Sequence, residues 1–199
     1  MIDVAQDAPN TVFLAGDEAG LYLQATTCHV WSPTGQTPIV RADPGRAKTN
    51  FYGALNLQTG QELAMRSDLM NAEMSAQYLE MSLEAHPDVP IMLFWDRAPW
   101  HRGRPIDKVL EENPRLEIIF FPPASPDLNP QEHVWKAVRK QVSHNHLETR
   151  LPELADRFLN KLNSGIFKDT FLERYGYTAI CPRFNSLTLR NQRDRTEFP

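Results

Sequence analysis

IMLFWDRAPWHRGRPIDKVLEENPRLEIIFF, residues 91–121, is the stretch that decides the architecture. Ile91–Trp95 is an unbroken apolar run of strand length, the pattern of a strand covered on both faces at a sheet centre. Pro105 then opens a helix that carries Ile106, Val109 and Leu110 on one side. The chain returns in a second apolar run, Leu116–Phe121, which stops at Pro122-Pro123. Strand, helix, strand in this order is a β-α-β unit of a mixed sheet.

Upstream, the rhythm is that of hairpins. Thr11–Gly16 reads as a strand ended by Asp17-Glu18, and Ala19-Gly20 as a turn into a second strand, Leu21–Cys28. Thr49–Leu57 and Glu62–Arg66 flank a QTG turn at residues 58–60. Met70, Met74, Tyr78, Met81 and Ala85 recur at helical spacing and predict a core-facing helix of about 15 residues. Downstream, a helix runs from near Pro130 to about His144 with Val134, Val138 and Val142 inward. Another, opened by Thr149 and Pro152, uses Leu151, Leu154, Phe158 and Leu162. Hairpins followed by β-α-β-α describe an α/β fold, a mixed sheet with helices on both faces.

Composition narrows the class. At 199 residues with 41% hydrophobic side chains the chain can bury a core, and one domain is the economical reading. Twenty-one basic against 25 acidic residues exclude nucleic-acid binding by bulk positive charge, but not by a local patch. Cys28 and Cys181 match no zinc or redox spacing and read as inert packing residues, which suits a reducing cytoplasm. No apolar run approaches the roughly 18–20 residues of a membrane helix, and residues 1–10 lack a signal-peptide pattern. No membrane partner is expected.

Three acids fall where chemistry gathers in such sheets. Asp17 and Asp96 close strands, and Glu132 stands in the first turn of a helix. Converging carboxylates hold pairs of Mg²⁺ or Mn²⁺ ions for phosphoryl transfer, and hard oxygen donors suit those ions better than zinc. Each acid also has a plain alternative. Asp17 fits a turn, Asp96 a loop cap, and Asn129-Pro130-Gln131-Glu132 a capping box with Pro at N1 and Glu at N3.

The strings WDRAPWH (95–101) and FPPASPDLNPQEHVW (121–135) resemble the catalytic core of Tc/mariner-superfamily transposases, nearest to the bacterial insertion-sequence branch. GDEAGLYL (16–23), VWSPTGQTP (30–38) and FYGALNLQTG (51–60) agree, so the resemblance spans about residues 11–146. It implies a ribonuclease H-like fold with a mixed five-stranded sheet flanked by helices. It places the family's acidic triad on Asp17, Asp96 and Glu132 as catalytic and metal-binding residues, with 35 residues between the last two. The implied activity is Mg²⁺- or Mn²⁺-dependent, two-ion DNA cleavage at element ends and strand transfer into target DNA. Two other readings stay open: a nuclease that cuts without joining, and a non-catalytic remnant that binds DNA or protein.

Where relatives carry Asn after the second acid, this chain has Arg97. Only 16 residues precede Asp17, so the family's helix-turn-helix region is expected to be absent, with a companion polypeptide as one possible source of end recognition. Residues 1–175 are expected to form the catalytic domain and 176–199 a polar, loosely ordered tail. Pairing two DNA ends implies a homodimer on DNA, in the bacterial cytoplasm and on the nucleoid.

Basic residues surround the acids. Lys136 and Arg139 share a helical face with Glu132 and, with Lys140, are expected to grip phosphates. Arg97, His101 and Arg102 follow Asp96 in one loop and are expected at DNA, with His101 either on the scissile phosphate or orienting Asp96. Trp31 and Trp100 are expected under loops, with base stacking as the alternative.

Overall fold

The computed structural model describes residues 10–37, 39, 46–123 and 126–167. The 176–199 tail, Cys181 and the boundary at residue 175 lie outside the described residues. Five strands form one mixed sheet in the order β3-β2-β1-β4-β5: β1 Val12–Tyr22, β2 Lys48–Asn56, β3 Glu62–Ser67, β4 Ile91–Trp95 and β5 Leu116–Phe120. Strands β1, β4 and β5 run parallel, and β2 is antiparallel to both β1 and β3. Among the described residues the helices are α1 Ala72–Ala85, α2 Arg104–Glu112, α3 Gln131–Val142 and α4 Leu151–Ser164. No helix among the described residues is long and apolar enough to cross a membrane.

The unit at 91–121 is as the sequence predicts. All five side chains of β4 are buried, and α2 turns Ile106 and Val109 into the core. One core lies beneath α1 and α2, where Leu14, Tyr52, Tyr78, Leu79, Leu93 and Trp95 meet. The other lies beneath α3 and α4 and centres on Phe51, Phe94, Val134, Trp135 and Phe158. Leu154, Phe158 and Leu162 are all but fully buried; each contributes about 1.5–3 kcal/mol relative to exposure.

Three expectations are corrected. The strand ending at Gly16, the turn at Ala19-Gly20 and the strand Leu21–Cys28 are replaced by one strand, β1, that continues to Tyr22. Its ladder with β2 runs unbroken from Leu14↔Asn56 to Tyr22↔Lys48, and nine paired residues override the local turn signal. The buried face of α1 is also rotated from the methionine stripe. Ser75, Ala76, Tyr78, Leu79, Ser82 and Leu83 are buried, Met74 and Met81 pack at the margin, and Ala85 is exposed. Asn71 caps this helix, its Oδ1 accepting from the Met74 N–H at 2.9 Å. Trp31, expected under a loop, stands fully exposed.

Candidate active site

Alternation along β1 sets the site. Phe13, Ala15, Ala19 and Leu21 face the α3–α4 core and Leu14 faces the other. Asp17 therefore interrupts the apolar row under α3, and Glu18 points to the opposite face. Asp17 does not end its strand, but it does stand at the end of the parallel part of the sheet. The β1–β4 ladder finishes at Ala15↔Phe94, and two further residues on each strand reach Asp17 and Asp96.

Asp17 lies over Gly53 of β2 in the ladder and accepts the indole N–H of Trp135 at Oδ2, 3.1 Å away. A Cβ on Gly53 would overlap Glu62 Oε1, would lie 2.5 Å from Trp135 Cη2 and would crowd Gln131 Nε2, so glycine is what lets α3 approach this closely. Burial pushes the Asp17 carboxyl up to about 8, helped by the charges of Glu132, Glu18 and Asp96 and opposed by a backbone hydrogen bond from Glu18. The charges of Glu132 on α3 and Asp96 after β4 thus reach Asp17 on β1, while the group of ligand atoms within 4.8 Å of one another among the described residues is Glu18, Asp96 and His101.

Glu132 is exposed at the start of α3. Asn129 organises that start: its Oδ1 accepts from the Gln131 N–H at 3.1 Å and its Nδ2 donates to the Gly16 carbonyl at 3.1 Å. The N-cap position is Pro130, which makes no side-chain cap bond, so Asn129 serves the first turn from one residue earlier and ties α3 to β1 beside Asp17. Glu132 lines a groove of about 540 Å³ with Asp127, His133, Lys136, Arg139 and His144. Lys136 and Arg139 thus share its surroundings, as the helical spacing predicts. Arg139 also donates from Nη2 to the Gly20 carbonyl at 3.2 Å, and Lys140 is exposed beyond the groove.

Asp96 sits on the loop after β4, where its Oδ1 accepts from the Ala98 N–H at 2.9 Å. His101, in a 3₁₀ turn at Pro99–His101, is 1% exposed and stacks on Trp95 with ring centroids 3.7 Å apart. Its Nδ1 lies 2.8 Å from Asp96 Oδ1, and its Nε2 lies 2.9 and 3.0 Å from the two oxygens of Glu18. Burial alone would lower the imidazole. The hydrogen bonds to Asp96 and Glu18, with the Glu18 charge, outweigh it and hold His101 at about 9, protonated at neutral pH. The His101 hydrogen bond in turn lowers Asp96. The contacts of His101 are thus with the carboxylates of Asp96 and Glu18. Arg97 and Arg102 remain exposed beside it; Arg97 donates from Nε to the Phe121 carbonyl at 3.1 Å, and Arg102 to the Arg97 carbonyl at 3.3 Å.

Sequence reading misses Glu18, Gly53, Glu62 and Gln131. Glu62 is buried and accepts the Gln131 side-chain N–H at 2.5 Å. Burial raises its carboxyl well above the ordinary range, the Gln131 bond opposes this, and the nearby Asp17 charge adds to it. Only the Glu18 position carries a sequence signal, because adjacent residues of one strand face opposite sides.

The family model for "DDE superfamily endonuclease" matches residues 12–155. The chain is 25% identical over 131 residues to the "Insertion element IS630 uncharacterized 39 kDa protein" of Shigella sonnei, covering 65% of this chain and 38% of that one. Among solved structures it is similar to the "Mos1 transposase paired-end complex with left transposon end" at a TM-score of 0.61 and 17% identity, covering 92% of this chain and 56% of that one. A crystal structure of the "catalytic domain of Mos1 mariner transposase" superposes at 0.56 with 14% identity, covering 92% and 84%. These likenesses show the expected ribonuclease H-like fold. The chain spans less than two thirds of the length of both the Shigella relative and the paired-end chain.

Proposed function

Because this chain belongs to the DDE superfamily endonucleases, we propose that it is the catalytic part of an insertion-sequence transposase that cleaves DNA at element ends and joins them to target DNA. The observation that carries this reading is the charge imbalance at Asp17. Burial foremost, and then the charges of Glu132, Glu18 and Asp96, raise its carboxyl, and oxygen donors crowded in this way around a buried carboxyl fit a cation. Asp17, Asp96 and Glu132 would hold two Mg²⁺ or Mn²⁺ ions. Bound there, the ions supply Lewis-acid activation of the attacking oxygen and stabilise the leaving oxygen.

The chain's own residues provide the rest. Trp135 fixes the Asp17 carboxylate, and the Ala98 N–H fixes Asp96. Lys136, Arg139 and Lys140 on α3, with Arg97 and Arg102 on the loop, would bind backbone phosphates and set the strand in register with the acids. In-line transfer needs no covalent enzyme intermediate, so positioning and charge are the protein's main contributions. Two copies of the chain would pair two ends, on DNA in the bacterial cytoplasm.

The test is nicking and strand joining on DNA carrying pre-cut ends, in Mn²⁺, for the wild-type chain and Asp96→Asn. The wild type is expected to join ends and the variant to do neither reaction while melting as a folded protein. Equal joining by both would overturn the reading, and nicking without joining would mark a nuclease.

A further inference from the structure

We infer that Glu18 and His101 are a positioning pair that holds Asp96 in its working orientation, with His101 outside the ligand shell of any bound cation. The inference rests on the role proposed above for Asp96. The connection is continuous. The Trp100 indole N–H donates to Glu18 Oε2 at 2.9 Å, and Glu18 accepts the His101 Nε2–H through both oxygens. His101 Nδ1–H reaches Asp96 Oδ1 at 2.8 Å and lies 3.0 Å from the Asp96 carbonyl.

Each link is hard to move. The His101 and Glu18 side chains are 0% and 4% exposed, and Trp95 fixes the ring plane from one side. Both donors to the Asp96 carboxylate, the Ala98 N–H and the His101 Nδ1–H, fall on Oδ1. That leaves Oδ2 as the oxygen for a cation. It is also how a carboxylate beside a metal is commonly braced, by hydrogen bonds from residues that do not themselves touch the ion.

Glu18, Asp96 and His101 present ligand atoms within 4.8 Å of one another, so direct ligation by His101 is the rival arrangement. The geometry speaks against it, because both ring nitrogens already face carboxylate oxygens. Glu18 thereby acquires a role on the sheet face opposite Asp17. The two neighbouring acids of β1 serve one site from two sides, Asp17 directly and Glu18 through the imidazole.

The experiment has two readouts. In the metal-free chain, NMR of the His101 ring should show both N–H protons protected from exchange. Glu18→Gln, which does not touch Asp96, should speed exchange of the Nδ1 proton at least tenfold. Unchanged Nδ1 protection overturns the pair, whatever the chain does with metals. Mn²⁺ titration is the second readout. Glu18→Gln should weaken binding about tenfold, with no further loss when added to Asp96→Asn, and additive losses contradict the coupling. Pulsed EPR of Mn²⁺ bound to chain with ¹⁵N-labelled histidine should show no imidazole nitrogen coupling; a coupling overturns the inference. A wild-type chain that binds no Mn²⁺ refutes the metal reading instead, and the exchange measurement still decides the pair. Trp100→Phe, which removes one donor to Glu18, is the milder variant should Glu18→Gln fail to fold, and should give a smaller change of the same sign.

Discussion

Trp135 donates its indole N–H to Asp17 Oδ2 across 3.1 Å, joining the first turns of α3 to the middle of β1. The same ring is 1% exposed and packs near Phe158, so one side chain belongs both to the core and to the site. Trp135→Phe should therefore separate the two functions. The smaller ring keeps most of the packing, and stability should fall by about 1–3 kcal/mol in urea unfolding. Mn²⁺ affinity should fall several-fold, because Asp17 loses the donor that orients it. Unchanged affinity in calorimetric titration would show that the indole is only a packing group.

Gly53→Ala tests how closely α3 approaches the sheet. The new methyl group would meet Glu62 Oε1, Trp135 Cη2 and Gln131 Nε2, and these are core groups with little freedom to retreat. Overpacking of this kind costs about 1–3 kcal/mol. Urea unfolding should show that loss, while Gly20→Ala, whose Cβ would meet nothing closer than 3.8 Å, should cost less. Equal losses at the two positions would refute the close approach.

Glu62 predicts a pH dependence of stability. In the folded chain burial keeps its carboxyl protonated well above the ordinary value of 4.5, whereas unfolding lets it ionise there. Above about pH 4.5 the folded state then binds more protons than the unfolded state, so this group's contribution is greatest at low pH and falls as pH rises. Glu62→Gln removes the titration and keeps an acceptor for Gln131. Measured without divalent ions, the variant should match the wild type most nearly at about pH 4 and gain on it steadily towards about pH 8. Parallel stability profiles would contradict a buried, protonated carboxyl.

The basic face of α3 makes a prediction about DNA. Lys136 and Arg139 line the groove with Glu132, and Lys140 extends the same charged surface. Changing all three to Gln should weaken DNA binding and reduce the slope of log K against log salt by about 2–3, at roughly 0.9 for each phosphate no longer neutralised. An unchanged slope in fluorescence anisotropy would place the DNA elsewhere.

How much of this is legible in the sequence depends on how local each feature is. IMLFW announces a buried strand and LEIIFF an apolar one, of which only Leu116 is buried, and α3 and α4 announce themselves by periodicity. Strand β1 is misread because Ala19-Gly20 is a good turn signal, and the partner that overrides it, β2, begins well downstream at Lys48. That error hides Glu18. Once residues 12–22 are one strand, Asp17 and Glu18 must point to opposite faces, and His101 has a partner. The meeting of Gly53, Glu62, Gln131 and Trp135 involves three elements, and no local pattern marks it. The motif singles out His101, but its burial between two carboxylates comes from the turn after β4.

Crystals of the chain soaked in millimolar Mn²⁺ and measured at the manganese edge test the central claim most directly. The account predicts anomalous peaks ligated by Asp17 and Asp96, with Glu132 in reach and His101 hydrogen-bonded behind Asp96. Clear density for all three carboxylates without any manganese between them, or a peak ligated by His101 and Glu18, would contradict it.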